Sequence, residues 1–239
     1  MKKRKVCVLL ILIVVFVLAV GWKRTDPEVR RTSGKAIAEN IAGQGMLGLV
    51  EQSVEHPKAA LTFDDGPDAR YTSVLLDGLR ARNIKVSFFL LGEKIEQNPD
   101  LVRRMQEEGH LVGNHTYHHV QLDKLSDAKA REEILKTNNL IYETTGTYPQ
   151  YMRPPFVAWK KNLELRVEMM PVFWTIDTLD WKVQNTEQII KTVEEKIKDG
   201  SIILMHDEYK TTVEAALRLA DSLKEKGYEL VTVDELIMP

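Results

Sequence analysis

From Lys58 to the C-terminus, short apolar runs alternate with longer amphipathic segments, and this alternation narrows the available folds more than any other feature. Ala59–Phe63, Val86–Leu91, Leu111–Gly113, Tyr151–Arg153, Pro171–Ile176, Ser201–Met205 and Tyr228–Val231 read as buried strands. Asn98-Pro99 opens one helix with proline at its first position, and Gly109 closes it. Asn185 precedes another, with Gln188 three residues on, Ile189, Val193 and Ile197 as the apolar stripe, and Gly200 as its end. Val213, Ala216, Leu217, Ala220 and Leu223 form the stripe of a third, which Gly227 closes. Strand-helix repetition predicts an α/β fold with a mainly parallel sheet. Seven strand candidates, each followed by a helix, favour a barrel over an open doubly wound sheet.

The N-terminus departs from this pattern. Lys2-Lys3-Arg4-Lys5 precedes an apolar run from Val6 to Val20, closed by Gly21-Trp22, which has the form of an export signal. Ala19 and Gly21 offer the small residues that cleavage after Gly21 would need, giving a secreted protein. Lys23 and Arg24 follow at once, and the preferred reading is an uncleaved single-pass membrane anchor over residues 1–22, in an apolar run near the lower limit for a bilayer. The basic cluster stays cytoplasmic and the bulk of the chain faces outward. Residues 23–57 carry mixed charge and four glycines and read as a stalk, leaving 58–239 as the globular domain. A hydrophobic content of 44% with 28% charged residues is ordinary for a globular protein. The net charge of -2 gives no case for nucleic acid, and a monomer is expected. A single cysteine, Cys7, excludes an internal disulfide framework and a cysteine metal site.

The polar residues fall where the strand candidates end. Asp64-Asp65 follows the first, Asn114-His115-Thr116-Tyr117-His118-His119 the third, Arg153-Pro154-Pro155-Phe156 the fourth, Asp177 and Asp180-Trp181 the fifth, and His206-Asp207 the sixth. Parallel α/β folds gather such ends on one face, where active sites sit. Two adjacent carboxylates closing a core strand are costly unless a metal, a cation or a shared proton compensates them. Taken alone, Asp64-Asp65-Gly66-Pro67 reads equally as a solvated turn.

His115 and His119 are four apart and can turn both imidazoles toward one point, with His118 directed elsewhere. His56 and His110 are isolated and read as surface or structural residues. Two imidazoles and one carboxylate leave a position open for water, as in catalytic zinc, and the same donors suit non-haem iron. One of the two aspartates would bind the metal, leaving the other as base for a water whose pKa falls toward about 7. Arg153 can hold that carboxylate, while His206, oriented by Asp180, can protonate a leaving group. The inventory points to metal-assisted hydrolysis of an acyl bond.

Thr62-Phe63-Asp64-Asp65-Gly66-Pro67, His115-Thr116-Tyr117-His118-His119, Arg153-Pro154-Pro155, Asp177-Thr178-Leu179-Asp180-Trp181 and Leu204-Met205-His206-Asp207 resemble the five ordered motifs of the polysaccharide deacetylases. That family is carbohydrate esterase family 4, the NodB homology domain, and the resemblance covers about Lys58 to the C-terminus. It implies a distorted (β/α) barrel of about seven parallel strands that removes N- or O-acetyl groups from polysaccharides. It also implies Asp64 as catalytic base, and Asp65, His115 and His119 as ligands of one divalent ion. Zinc is the first choice, with cobalt, nickel, manganese or iron as alternatives. Arg153 would orient Asp64, and Asp180 would tether His206, the general acid. The Phe156 amide would polarise the acetyl carbonyl, and Trp181 and Leu204 would wall a pocket for the acetyl methyl. Phe156 stands where many members have tyrosine, and His118 where serine is common.

The expected activity is removal of N-acetyl groups from a cell-wall polysaccharide, either peptidoglycan or a chitin-like N-acetylglucosamine polymer, with release of acetate. An O-acetyl xylan esterase and a non-catalytic sugar-binding or cell-wall maturation protein of the same fold are the alternatives.

Overall fold

The structure, a computed structural model, describes residues 56–159 and 169–238. The expected membrane anchor over 1–22 and nearly all of the expected stalk lie outside the described residues. Among the described residues no helix is long and apolar enough to cross a membrane.

The strands are β1 (Lys58–Asp64), β2 (Ser87–Leu90), β3 (Leu111–Asn114), β4 (Tyr151–Met152), β5 (Met170–Pro171), β6 (Ile176–Asp177), β7 (Ser201–His206) and β8 (Glu229–Leu230). All pair in parallel, along the path β5-β4-β3-β2-β1-β7-β6, and β8 joins the start of β1. Seven parallel strands thus curl into a half-barrel, the distorted β/α barrel expected. The helices are α1 (Thr72–Ala81), α2 (Gly92–Gln97), α3 (Pro99–Glu107), α4 (Asp127–Thr145), α5 (Asp180–Val183), α6 (Thr186–Glu194), α7 (Lys210–Glu225) and α8 (Val233–Ile237).

Two expectations need correction. The run Pro171–Ile176 is not one strand but the ends of two, because β5 pairs with β4 and β6 pairs with β7 at opposite ends of the path. From Pro171 to Ile176 the backbone reaches at most about 18 Å, so these residues draw the two sheet ends toward each other. After β4 the chain passes through a 3-10 turn at Pro155–Val157, and residues 160–168, where the expected helix would fall, lie outside the described residues. The helix after Asn185 stops at Glu194, short of Ile197, although Asn185 Oδ1 caps it as expected by accepting from Gln188 N–H at 3.0 Å.

Strand alternation sorts each strand into two faces. On β1, Ala59, Leu61 and Phe63 enter the main core with Leu75 and Leu79 of α1 and Ala216 and Leu219 of α7. On its other face Ala60 joins Phe89, Tyr151 and Val172 inside the half-barrel. Continuing up that inner face come Thr62 and then Asp64, so the lining turns from methyl to hydroxyl to carboxylate as β1 nears its C-terminal end. The same parity places Leu204 and His206 of β7 on the inside, above Ile202, which packs against the inner cluster. The inner face is therefore apolar at the bottom and chemically armed at the top.

Candidate active site

A cleft of about 390 Å³ opens at the C-terminal ends of the strands, lined in part by Asp64, Asp65, His115, His119 and His206. Adjacent residues of a strand point to opposite faces, so parity would send Asp65 away from Asp64. The backbone prevents this: Asp65 has φ 66°, a left-handed conformation that turns its carboxylate back to the cleft. Thr116 (φ 68°), His119 (φ 54°) and Phe156 (φ 57°) share that conformation around the same cleft. Such residues cost roughly 1–3 kcal/mol each and persist where surrounding contacts over-determine them.

Gly66, the next residue, is required by close approach. A Cβ there would lie 2.6 Å from Asp207 Oδ1. Asp207 is fully buried, accepts from Thr72 Oγ1 through Oδ2, and has no hydrogen-bond partner at Oδ1. Burial pushes its carboxyl up to about 7.

The donor atoms of Asp65, His115 and His119 lie within 4.8 Å of one another. His115 Nδ1 is 2.5 Å from the Arg153 carbonyl oxygen, which fixes the proton on Nδ1 and leaves Nε2 facing Asp65. That Nε2 is 3.3 Å from Asp65 Oδ1, and His119 Nε2 is 3.5 Å from the same oxygen. Asp65 Oδ1 is nonetheless buried without an aligned donor. A buried carboxylate oxygen facing two imidazole nitrogens, none satisfying another, is the arrangement a divalent cation would satisfy. Burial opposes ionisation of Asp65, but the imidazoles of His115, His119 and His206 outweigh it and hold its carboxyl well below the usual range. Burial also lowers the pKa of His119 against the pull of Asp65, which favours the neutral, ligating ring.

Asp64 sits beside this triad, in a different environment. Arg153 Nη1 donates to its Oδ1 at 2.7 Å and to Thr62 Oγ1 at 2.8 Å, while Thr62 Oγ1 donates to the Ile203 carbonyl at 2.7 Å. Arg153 itself is fully buried, with its guanidinium carbon 4.3 Å from the centre of the Phe89 ring. Asp64 Oδ2 is left 3.8 Å from His115 Nε2, at the edge of the cleft.

On the other side, His206 Nδ1 is 2.8 Å from Asp180 Oδ1, and Asp180 Oδ2 accepts from the His206 backbone N–H at 2.7 Å and Thr212 Oγ1 at 2.8 Å. This fixes the ring, with Nε2 3.9 Å from Asp65 Oδ2. Burial works against charging His206, but Asp180, with Asp64 and Asp65, pushes its pKa up to about 9.

Every residue expected to act in catalysis, metal ligation or substrate binding is therefore found at this end of the sheet. Phe156, Trp181 and Leu204 line the same cleft, and the Phe156 ring stacks edge-on against His119 at 4.6 Å. His118 is turned away from the cleft, its Nδ1 2.8 Å from Glu133 Oε1, as its spacing implied. His110 is buried and accepts from Val86 N–H, and His56 is exposed. Trp174 and Tyr209 also line the cleft and were not singled out. Trp174 falls between the two short strands that read as one. Thr62 could have been found by parity, two residues before Asp64 on the inner face.

A half-barrel with an Asp-His-His triad at its mouth, a buried arginine-held carboxylate on one flank and an Asp–His pair on the other defines a class of barrel whose donor set is consistent with a divalent metal site. The polysaccharide deacetylase family matches residues 51–173. The chain belongs to that family. It is 42% identical over 187 residues to the peptidoglycan-N-acetylglucosamine deacetylase PgdA of Listeria monocytogenes, an alignment spanning 78% of this chain and 40% of that protein. It superposes on peptidoglycan deacetylase PdaC from Bacillus subtilis with a TM-score of 0.74 at 36% identity, over 77% of this chain and 91% of that one. A family 4 pseudoenzyme from Bacillus anthracis, BA3943, also matches, with a TM-score of 0.72 at 28% identity over 77% of this chain and 66% of that one. The chain thus spans less than half the length of the Listeria relative.

Proposed function

We propose that this protein is a metal-dependent peptidoglycan deacetylase that hydrolyses N-acetyl groups of the glycan strand and releases acetate. The observation that carries this reading is the flanking of the Asp65, His115 and His119 donors by Asp64 on one side and His206 on the other. The similarity to peptidoglycan deacetylases supports the substrate class. Presence of both flanking groups favours catalysis over a non-catalytic role.

Two nitrogen donors and one carboxylate suit zinc. Bound by Asp65, His115 and His119, the ion would supply Lewis-acid polarisation of the acetyl carbonyl and a more acidic water. Asp64, held by Arg153, takes the proton of the attacking water. The Phe156 backbone N–H stabilises the oxyanion that forms at the acetyl carbon. Trp181 and Leu204 receive the acetyl methyl. His206, kept charged by Asp180, then gives a proton to the departing amine nitrogen as the C–N bond breaks, leaving acetate and a free amino sugar. An amine leaves poorly unless protonated, so this step depends on the imidazolium.

The N-terminal segment 1–22 serves in this reading as an anchor that holds the domain outside the cell, where peptidoglycan lies. Fractionation of cells expressing the full chain should place it in the membrane fraction, and a wholly soluble cytoplasmic product would remove this part of the proposal. The activity is tested by incubating the full-length protein with purified peptidoglycan, with and without a chelator, and measuring acetate. Mass spectrometry of the digested glycan assigns the loss to N-acetylglucosamine or N-acetylmuramic acid. Chelator-sensitive acetate release is expected, and no release from peptidoglycan would end this reading.

A further inference from the structure

His115 and His119 reach the metal triad by different routes. His115 extends β3: its backbone N–H donates to the Leu90 carbonyl at 2.9 Å and its ring is fixed by the Arg153 carbonyl. His119 lies beyond a loop whose backbone enters the left-handed region at Thr116 and again at His119 itself. Something must hold that loop, because non-glycine residues leave this conformation unless their neighbours are pinned.

Part of the hold comes from α2, whose Gly92 and Glu93 N–H groups donate to the Thr116 and Tyr117 carbonyls at 3.0 Å and 3.3 Å, and the side-chain hold comes from α4. Asn114 Nδ2 donates to the Ile134 carbonyl at 2.9 Å and to Asn138 Oδ1 at 2.6 Å, while Asn114 Oδ1 accepts from Thr116 N–H at 2.6 Å. On α4 beside Ile134, Glu133 Oε2 accepts from two consecutive backbone N–H groups, Tyr117 at 3.1 Å and His118 at 2.9 Å. Its other oxygen faces His118 Nδ1 at 2.8 Å. The Glu133 side chain is 15% exposed and that of His118 is 56% exposed. The amide contacts are thus sheltered, and the ring contact is open to water. Charge-assisted hydrogen bonds to backbone N–H groups are among the stronger ones, whereas exposed ion pairs contribute little.

We propose that Glu133 is a positioning residue for the metal centre, which sets His119 by gripping the Tyr117 and His118 amides that immediately precede it. Its carboxylate never reaches the triad. It supplies the acceptor that two loop amides need, and so fixes the backbone on which the third ligand is mounted. His118 matters here through its amide, and its ring is a secondary contact. This inference rests on the metal centre proposed above.

The test is Zn2+ affinity, measured on metal-stripped full-length protein by competition with a chromogenic chelator, with the melting temperature of each metal-free form recorded alongside. His119→Ala tests the centre itself, and it should abolish tight binding. If it does not, the metal-centre reading fails, whatever Glu133 does. Glu133→Ala should bind Zn2+ about 10–100-fold more weakly than the parent, the usual consequence of removing a group that orients a ligand. His118→Ala should stay within about threefold, because it removes the exposed ring contact with Glu133 and an edge contact with the Tyr117 ring but leaves the backbone amide in place. Glu133→Gln retains a neutral acceptor for both amides and should recover part of the loss. Parental affinity in a folded Glu133→Ala overturns the proposal, and so does a loss in His118→Ala equal to that in Glu133→Ala. Should Glu133→Ala not fold, Glu133→Gln decides alone: binding weakened about threefold or more supports the clamp and unchanged binding overturns it.

Discussion

Arg153 Nη1 lies 2.7 Å from Asp64 Oδ1, and the two side chains are 0% and 4% exposed. This pair joins β4 to β1 across the inside of the half-barrel and anchors the proposed base. Breaking a buried pair by removing one partner strands a charge and costs about 3–5 kcal/mol. Arg153→Met should therefore lose about that much stability in urea denaturation, and adding Asp64→Leu to it should recover a large part of the loss. If Arg153→Met unfolds at the parental urea concentration, the pair is not the anchor described.

The Asp180–His206 pair makes a second prediction, about protonation. In the metal-free protein His206 should titrate near pH 9, because Asp180, Asp64 and Asp65 together outweigh its burial. Asp180→Asn removes the nearest of these charges and should lower the His206 pKa toward the free value. Nuclear magnetic resonance of the His206 ring protons through a pH series measures both. A parental His206 that titrates near about 6.5, the free value, would contradict the assignment.

Asp207 gives a prediction about stability rather than chemistry. Its folded pKa, pushed up to about 7, exceeds the unfolded value of about 3.9. Below pH 4 it is protonated in both states and costs nothing through ionisation. Between pH 4 and pH 7 the unfolded chain releases the proton more readily, so this group's contribution to stability falls across that window and levels off above it. Melting temperatures of the parent and Asp207→Asn, compared from pH 4 to pH 8, should shift in favour of the variant as pH rises. A difference that stays constant with pH would refute the burial argument.

Much of this was legible because strand parity and strand ends leave direct marks on sequence. The apolar run Ala59–Phe63 followed by two carboxylates marks both a strand and its functional end. Asn185 with Gln188 marks a helix start that the structure shows capped as expected. What was hidden depends on contacts between distant segments. Pro171–Ile176 reads as one strand, since nothing local records that its two ends pair with β4 and β7. The 19-residue α4, the longest helix among the described residues, escaped notice because its buried positions (Ala130, Ile134, Thr137, Asn138 and Ile141) include two polar residues, which blurs its stripe. Glu133 was hidden for the same reason. The left-handed turn at Asp65 is also invisible in sequence, since no glycine marks it, yet it is what brings two neighbouring carboxylates to one cleft.

That division of labour between neighbours is the centre of the account: Asp65 faces the two imidazoles with an unpaired buried oxygen, and Asp64 is held by Arg153. The most direct test is to measure bound metal and acetate release together in Asp64→Asn and Asp65→Asn. Asp64→Asn should retain the parental metal content while acetate release falls about 10²–10⁴-fold, the usual loss when a general base is removed. Asp65→Asn should lose the metal and the activity together. Loss of metal from Asp64→Asn, or parental metal affinity in Asp65→Asn, would contradict the assignment.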